Sequence, residues 1–586
     1  MTEQNWDDHY DLVVLGTGAA GLSASLTAAN EGLRVLTLEK SDYYGGTTCY
    51  SAGTCWVPGS SYVEAAGLHN DLAKAETYLD ALVGERGPKD MWMSYLTNGP
   101  TMIDYMETMG VRWIPFPGFV DYYPELEGSG RGYRALEPEP FDGKKLGKLA
   151  FSHLRGPVPE FALFGGSLMV RRTEVTKLLH LFDGVGLQRL QVLTTALRLG
   201  IPWFLDLLRG WPRGTRMVMG NALIARLYHE YTSRGGTLWL NANTTELVTE
   251  NGRVTGAVVE YRGVPRRVEA RRGVVMAAGG FPASPELRNK YLRGPAAEFT
   301  RAADTCTGDT FALAEAAGAI LGPQDENGAL WFPSSVGYRK DGSLAVFPHI
   351  WDRAKPGMIA VNAAGKRFTD EARSYNHFVR GMYESDEAGV PTVPAYLVAD
   401  HDHMMKYGLG MIYPASTGPL MSHWLKSGYI VRDRTLAGLA TKIGVDAAGL
   451  EATVERYNAD CEKGVDTEFG KGSSEYSPQY GDPKVSPNVN LGPVATGPFY
   501  AMAVYPTPLS TGRGLLINPQ GQCLDAEGTP VEGLYACGSD AQQVFGVQYP
   551  GGGCQVGAGM IFGFLIGKHA AGHPVDQHTA GQPVRA

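Results

Sequence analysis

The chain has 586 residues, 44% of them hydrophobic, and 61 acidic against 52 basic side chains give a formal net charge of −9. So many apolar residues exclude disorder and, at about 100–200 residues per domain, point to more than one folded unit, while the acidic balance argues against a nucleic-acid partner. Glycine is the anomaly: 76 of them without a collagen period, so the fold holds many tight turns and close backbone approaches.

The segment Met1–Asp8 is acidic and lacks the apolar run of an export signal. Seven cysteines, an odd count without a CxxC pair, fit a reducing compartment and no structural metal; a cytoplasmic location is the expectation. Asp11–Leu15 reads as a buried strand, followed by Gly16-Thr17-Gly18-Ala19-Ala20-Gly21, a helix over Leu22–Asn30 and a second strand, Arg34–Leu38, ending in Glu39. In such a unit Gly16 permits the turn, Gly18 lets backbone approach a pyrophosphate, Gly21 lets helix pack on strand, and Glu39 can take ribose hydroxyls. Tyr43–Gly53 adds hydroxyls and free amides suited to a second length of cofactor, which favours FAD over NAD. The longest apolar stretch, Leu187–Leu208, is broken by Gln188, Arg189, Gln191, Arg198, Pro202 and Asp206, so no membrane-spanning helix is expected. Val274–Phe281 reads as a third buried strand ending in glycines, Arg434–Ile443 and Ala448–Cys461 as surface helices, and Gly533–Asp540 as a further strand-to-glycine unit.

On these motifs and their order the chain resembles, over nearly its whole length, the flavoprotein family that contains fumarate reductases and 3-ketosteroid dehydrogenases. The resemblance implies an α/β fold: a Rossmann-like FAD domain, residues 1–325 and 511–586, with an inserted α+β catalytic cap, 326–510. It implies FAD contacts at Gly16, Gly18, Ala19, Ala20, Glu39, Lys40, Gly46, Thr47, Thr48, Ser51, Gly53, Asp540 and Val556. Thr307-Gly308-Asp309 matches a family motif that opens a helix and is read as structural. No histidine stands between Lys40 and Gly59 for a flavin link, so non-covalent FAD is implied.

Fumarate reductases of the family use an arginine after R-F-x-N-E-x-x-x; here Arg367-Phe368-Thr369-Asp370-Glu371-Ala372-Arg373-Ser374 leads to Tyr375. Their carboxylate-binding histidine is missing from Pro508–Arg513. A dicarboxylate substrate is disfavoured, though Arg373 and Arg513 leave it open. The other branch removes hydrogens from adjacent carbons beside a ring ketone, and its Y-P-G-x-G landmark is Tyr549-Pro550-Gly551-Gly552-Gly553. The resemblance implies that the Tyr549 hydroxyl and the Gly553 amide hold the ketone oxygen, that Tyr375 takes the α-proton, and that a tyrosine of Phe116–Tyr123 assists it. Tyr122 fits that role best, with Tyr123 as the alternative. The β-hydrogen leaves as hydride to the flavin. A phenol with a pKa of about 10 serves as base only if that value is lowered or its proton is relayed. His349, His377, His401 and His403 are read as structural.

The partners implied are a cyclic ketone, either cyclohexanone-like or ring A of a 3-ketosteroid, and an external electron acceptor. A flavin-bearing electron carrier without substrate chemistry is the alternative of another class. Trp113, Phe116 and Phe119 are expected to wall the substrate pocket. Residues 161–211 form an insertion that suits a lid, a dimer contact, a shallow contact with a membrane surface or simply an extra packed helix.

Overall fold

The computed structural model describes residues 5–183, 187–295, 297–325 and 327–573, the side chains of 179–187 excepted. The apolar Leu179–Phe182 run of the insertion therefore lies outside the described side chains. An eight-stranded sheet runs Thr237–Leu240, Val35–Glu39, Asp8–Leu15, Val264–Met276, Arg253–Tyr261, Ala242–Glu250, with Pro530–Ala536 beside Val264–Met276 and Gln522–Leu524 beyond it. Asp8–Leu15 is parallel to both of its neighbours. Leu12, Val13 and Val14 are wholly buried, as an apolar run covered on both faces requires.

The helix Ala19–Asn30 returns over this sheet and packs against Cys554–Ala570. Small residues set that approach: a Cβ on Gly563 would lie 2.6 Å from the Ala20 carbonyl oxygen, and one on Gly567 2.7 Å from Thr27 Cβ. The close contact fixes where the N-terminus of Cys554–Ala570 points, which is into the cavity described below.

A six-stranded sheet is built from Leu344–Pro348, Ala329–Tyr338, Phe499–Thr511, Ala395–Ala399 and Met358–Val361, with Val431–Asp433 also on Phe499–Thr511. The helices Leu436–Ile443 and Ala447–Lys463 cover it through a core of their own that includes Leu439, Leu450, Val454 and Tyr457. The chain crosses between the two sheets twice, and the crossings are bonded to each other. Gly322 N donates to Gly514 O at 2.8 Å, Leu516 N to Ile320 O at 2.9 Å and Gly512 N to Gly328 O at 2.8 Å.

The insertion forms a hairpin, Ala162–Leu163 with Leu168–Met169, then the helices Arg172–Asp183 and Leu187–Leu208. Leu199 packs with Leu168 and Val170. On the opposite face Leu190, Leu193, Leu197, Ile201, Phe204 and Leu208 stand 49–68% exposed, a helical stripe at intervals of three and four. Among the described residues no helix is long and apolar enough to cross a membrane.

Candidate active site

Between the two sheets lies a cavity of about 700 Å³. Its first half is made by backbone. Gly16 has φ +105°, and a Cβ there would sit 2.2 Å from the Ala277 carbonyl oxygen, so the turn between strand and helix admits only glycine. Gly18 at the N-cap of the helix that follows brings no side chain of its own, which leaves the helix dipole and the amides beyond the first for an anion. Thr48 Oγ1 accepts from Ala19 N at 3.1 Å, binding the Gly46–Tyr50 turn to the same helix start. Glu39 ends its strand in the cavity wall, buried, accepting from Thr17 Oγ1 at 2.5 Å and Ser41 N at 3.1 Å, and burial pushes its carboxyl up. Open amides, a narrow glycine cradle and a carboxylate one helix away fit the diphosphate and ribose of FAD.

Gly16, Gly18, Ala19, Ala20, Glu39, Lys40, Gly46, Thr47, Thr48, Ser51, Gly53 and Val556 all line this cavity. Lys40 Nζ is held at 2.6 Å by both Thr307 Oγ1 and Asp309 Oδ2. Thr307-Gly308-Asp309 thus opens the helix Asp309–Ala316 and also anchors a cavity cation. Asp540 stands one layer back from the other expected cofactor residues. It does not line the cavity; its carboxylate accepts from Ala278 N at 2.5 Å and Gly280 N at 2.7 Å, so it shapes the glycine turn behind the cofactor's place. Burial pushes its pKa up to about 6.

The second half is made by side chains from distant segments. Tyr122 Oη donates to Tyr375 Oη at 2.7 Å, and Tyr375 Oη donates to Tyr549 Oη at 2.8 Å, all three nearly buried and lining the cavity. Tyr375 opens the helix Tyr375–Glu387, with Ser374 capping it; Phe332 packs on its ring at 4.1 Å. Tyr549 and Gly553 flank a loop pinned by Pro550, whose carbonyl accepts from Tyr78 Oη at 2.7 Å and Tyr122 N at 3.1 Å. Gly553 sits at the N-terminus of Cys554–Ala570 with φ +103° and lines the cavity. Tyr123 is not in the cluster and its hydroxyl has no partner among the described residues. Burial, reinforced by the neighbouring phenols, raises Tyr375 and Tyr122 well above the ordinary tyrosine value. The helix start beneath Tyr375 favours negative charge but does not outweigh that burial.

Phe116 and Phe119 line the cavity. Trp113 does not. It is 3% exposed, in the core, and the wall there is made by Ala135, Glu137 and Pro138 of the strand paired with it. Arg373 pairs with Glu125, and Arg513 donates to Gly322 O at 3.0 Å beneath Tyr291; neither lines the cavity. No histidine lines it among the described residues. His349 bonds Asp352 at 2.6 Å and Ser335 Oγ at 2.8 Å, a sealed arrangement with zero exposure of the imidazole. The cavity gains walls that no motif announced: Phe161, Val170–Thr173 and Val175 from the insertion, Phe332 and Trp351 from the cap side, and Arg301. Arg301 is nine-tenths buried and makes no ion pair among the described residues, and burial lowers its pKa to about 10.

A family model described as "FAD binding domain" matches residues 11–556. The chain belongs to that family. Within it, the chain is 35% identical to a 3-oxosteroid 1-dehydrogenase of Mycolicibacterium smegmatis over 95% of its own length and 96% of the relative's. It is also 35% identical to a 4-oxocyclohex-2-ene-1-carboxylate 5-dehydrogenase of Sinomonas cyclohexanicum, over 97% and 95% respectively. The structure of 3-ketosteroid delta1-dehydrogenase from Sterolibacterium denitrificans in complex with 1,4-androstadiene-3,17-dione aligns with a TM-score of 0.88 at 36% identity, covering 96% of this chain and all of that one. This family member is an FAD-dependent oxidoreductase, and it binds FAD without a covalent link.

Proposed function

We propose that the protein dehydrogenates a cyclic ketone between the carbons α and β to the carbonyl, with Tyr549, Gly553, Tyr375 and Tyr122 carrying the chemistry. The observation that supports this most is the continuous chain of three buried phenols reaching Tyr549, beside a helix N-terminus at Gly553. The Tyr549 hydroxyl and Gly553 amide are neutral donors aimed where a ketone oxygen gathers charge as its α-proton leaves. Such donors contribute roughly a hundredfold or more each in a water-excluded site.

Tyr375 takes the α-proton. Its ionised form is disfavoured by burial, so it acts through its neighbour: as the substrate proton arrives at Tyr375 Oη, that oxygen gives its own proton to Tyr549 Oη, the acceptor of its hydrogen bond, and Tyr549 gives its proton to the ketone oxygen. When bound, FAD supplies the acceptor for the hydrogen and electron pair that leave the β-carbon. Phe116, Phe119 and Phe332 exclude water around the reacting ring, which strengthens every polar contact inside. With Trp113 in the core, nothing on this wall restricts the cavity to small rings, and both cyclohexanone-like and steroid rings suit it. Dicarboxylate chemistry loses its support because Arg373 and Arg513 lie elsewhere.

Anaerobic addition of cyclohexanone, androst-4-ene-3,17-dione or succinate to the FAD-loaded protein tests the reading: a ketone bleaches the flavin and succinate does not. Tyr375→Phe is expected to slow bleaching by roughly a hundredfold to ten-thousandfold with FAD still bound. A near-normal rate in that variant sinks the assignment. Bleaching by a protein partner but by neither ketone supports an electron carrier instead.

A further inference from the structure

The cavity carries charge that the chain leaves unbalanced. Three carboxylates line it: Glu39, Glu137 and Asp309. Glu39 faces the cofactor's half, Asp309 pairs with Lys40 at 2.6 Å, and Glu137 pairs with Arg171 at 3.2 Å. Three lining cations, Arg301, Lys355 and Arg172, make no ion pair among the described residues. Arg301 Nη1 donates to Val346 O at 2.8 Å and its guanidinium lies over the Phe161 ring, so its charge is held between the cap and the insertion. Lys355 Nζ donates to Gly481 O at 2.8 Å. Arg172 has neither an ion pair nor a side-chain hydrogen bond among the described residues; its guanidinium carbon lies 4.0 Å from the Phe116 ring centre and 5.4 Å from that of Phe119.

The position of Arg172 gives it a use. Phe119 is packed so closely on the ketone-side loop that a Cβ on Gly552 would meet its ring at 2.8 Å and Tyr122 Oη at 3.1 Å. Arg172 is thus one aromatic ring away from the tyrosine cluster. A guanidinium lying over a ring is held in place through its face, while its N–H edge stays open for a two-pronged bond to a carboxylate.

Resting on the ketone reading above, we propose that Arg172 anchors a carboxylate carried by the substrate ring, so that the preferred substrate is an anionic cyclic ketone. Lys355 adds to the same field from the cap side. The carboxylate fixes the end of the ring away from the carbonyl, which holds the oxygen against Tyr549 and Gly553 and the α-carbon at Tyr375. A neutral ketone has only the aromatic walls to orient it.

The test uses the full-length, FAD-loaded protein and a matched pair of probes, 4-oxocyclohexanecarboxylate and its methyl ester, with anaerobic flavin bleaching as the readout. The wild type is expected to favour the acid by at least about tenfold in the second-order rate constant, as a charge-assisted hydrogen bond provides, and to lose part of that preference at high salt. Arg172→Gln is expected to erase the acid-to-ester ratio and Arg172→Lys to keep part of it. Equal bleaching by acid and ester in the wild type overturns the proposal without any variant, and so does a wild-type ratio in Arg172→Gln. Bleaching by androst-4-ene-3,17-dione but by neither probe overturns the role of Arg172 and leaves the ketone reading standing. Bleaching by none of the three ketones overturns the ketone reading itself.

Discussion

Two buried arginines stand behind the tyrosine cluster, one on each side of the cavity, and they are balanced differently. Arg134 lies between Asp71 at 2.7 Å and Asp121 at 2.6 Å, next to Tyr122 in sequence. Trp56 Nε1 and Gly130 N complete Asp121 at 2.7 Å each, and Gly59 N reaches Asp71 at 2.9 Å. Arg367 lies between Glu371 at 2.8 Å and Asp466 at 2.7 Å, just ahead of Tyr375, with Lys471 Nζ 3.7 Å from Glu371. Glu468 stands 3.8 Å from the same arginine, and beside them is a further carboxylate, Asp370, with no ion pair among the described residues; burial and then the charge of Glu371 push its pKa up to about 7. The Tyr122 side depends on a single cation whose partners are fully hydrogen-bonded. The Tyr375 side shares its charge between two cations and keeps one acid that titrates near neutrality.

Removing each arginine tests this contrast most severely. Arg134→Met leaves two carboxylates buried without any cation and is expected to cost about 3–5 kcal/mol, read as a fall in the denaturant midpoint. Arg367→Met is expected to cost less, because Lys471 remains beside Glu371. An equal or larger loss for Arg367→Met breaks the comparison.

A smaller effect follows from Asp121→Asn, which keeps size and shape but takes one charge from Arg134. It is expected to slow flavin bleaching by a ketone by roughly tenfold through a displaced Tyr122 while FAD affinity holds. If bleaching is unaffected, the network does not position that tyrosine.

The smallest effect is a pH dependence carried on the Tyr375 side by Asp370. Between the ordinary aspartate value of 3.8 and about 7, folded Asp370 keeps a proton that the unfolded chain has released. Stability from this group is therefore full below about pH 4 and is lost as pH rises through 7. Asp370→Asn cannot ionise and is expected to melt higher than wild type, by a gap that widens between pH 5 and pH 8 to roughly a few degrees. A gap that stays constant with pH removes Asp370 from the account.

The cofactor half was legible in the sequence because its parts are contiguous and made of backbone: strand, glycine turn, helix and acid fall within Asp11–Glu39. The tyrosines were legible only through family motifs, since Tyr122, Tyr375 and Tyr549 share no local pattern and meet through tertiary folding alone. Trp113 and Asp540 show where reading stopped. A motif gives the order of residues, but the direction in which a side chain turns depends on what packs behind it: the core for Trp113, two glycine-strand amides for Asp540. Arg172 and the other insertion residues in the cavity wall carry no motif, because a wall is set by placement and not by spacing.

The paired crossings between the sheets bear on how the site opens. Two independent linkers would let one body twist and slide on the other. Here both strands of the connection are bonded to each other at Gly322–Gly514, Ile320–Leu516 and Gly328–Gly512, a ribbon that resists torsion and shear and yields most easily by swinging about one line. Tyr375 is on one leaf of that door, Tyr122 and Tyr549 on the other. A swing about that line would move Tyr375 relative to both partners at once, so the hydroxyl contacts of 2.7 and 2.8 Å depend on the two leaves being held as they are here.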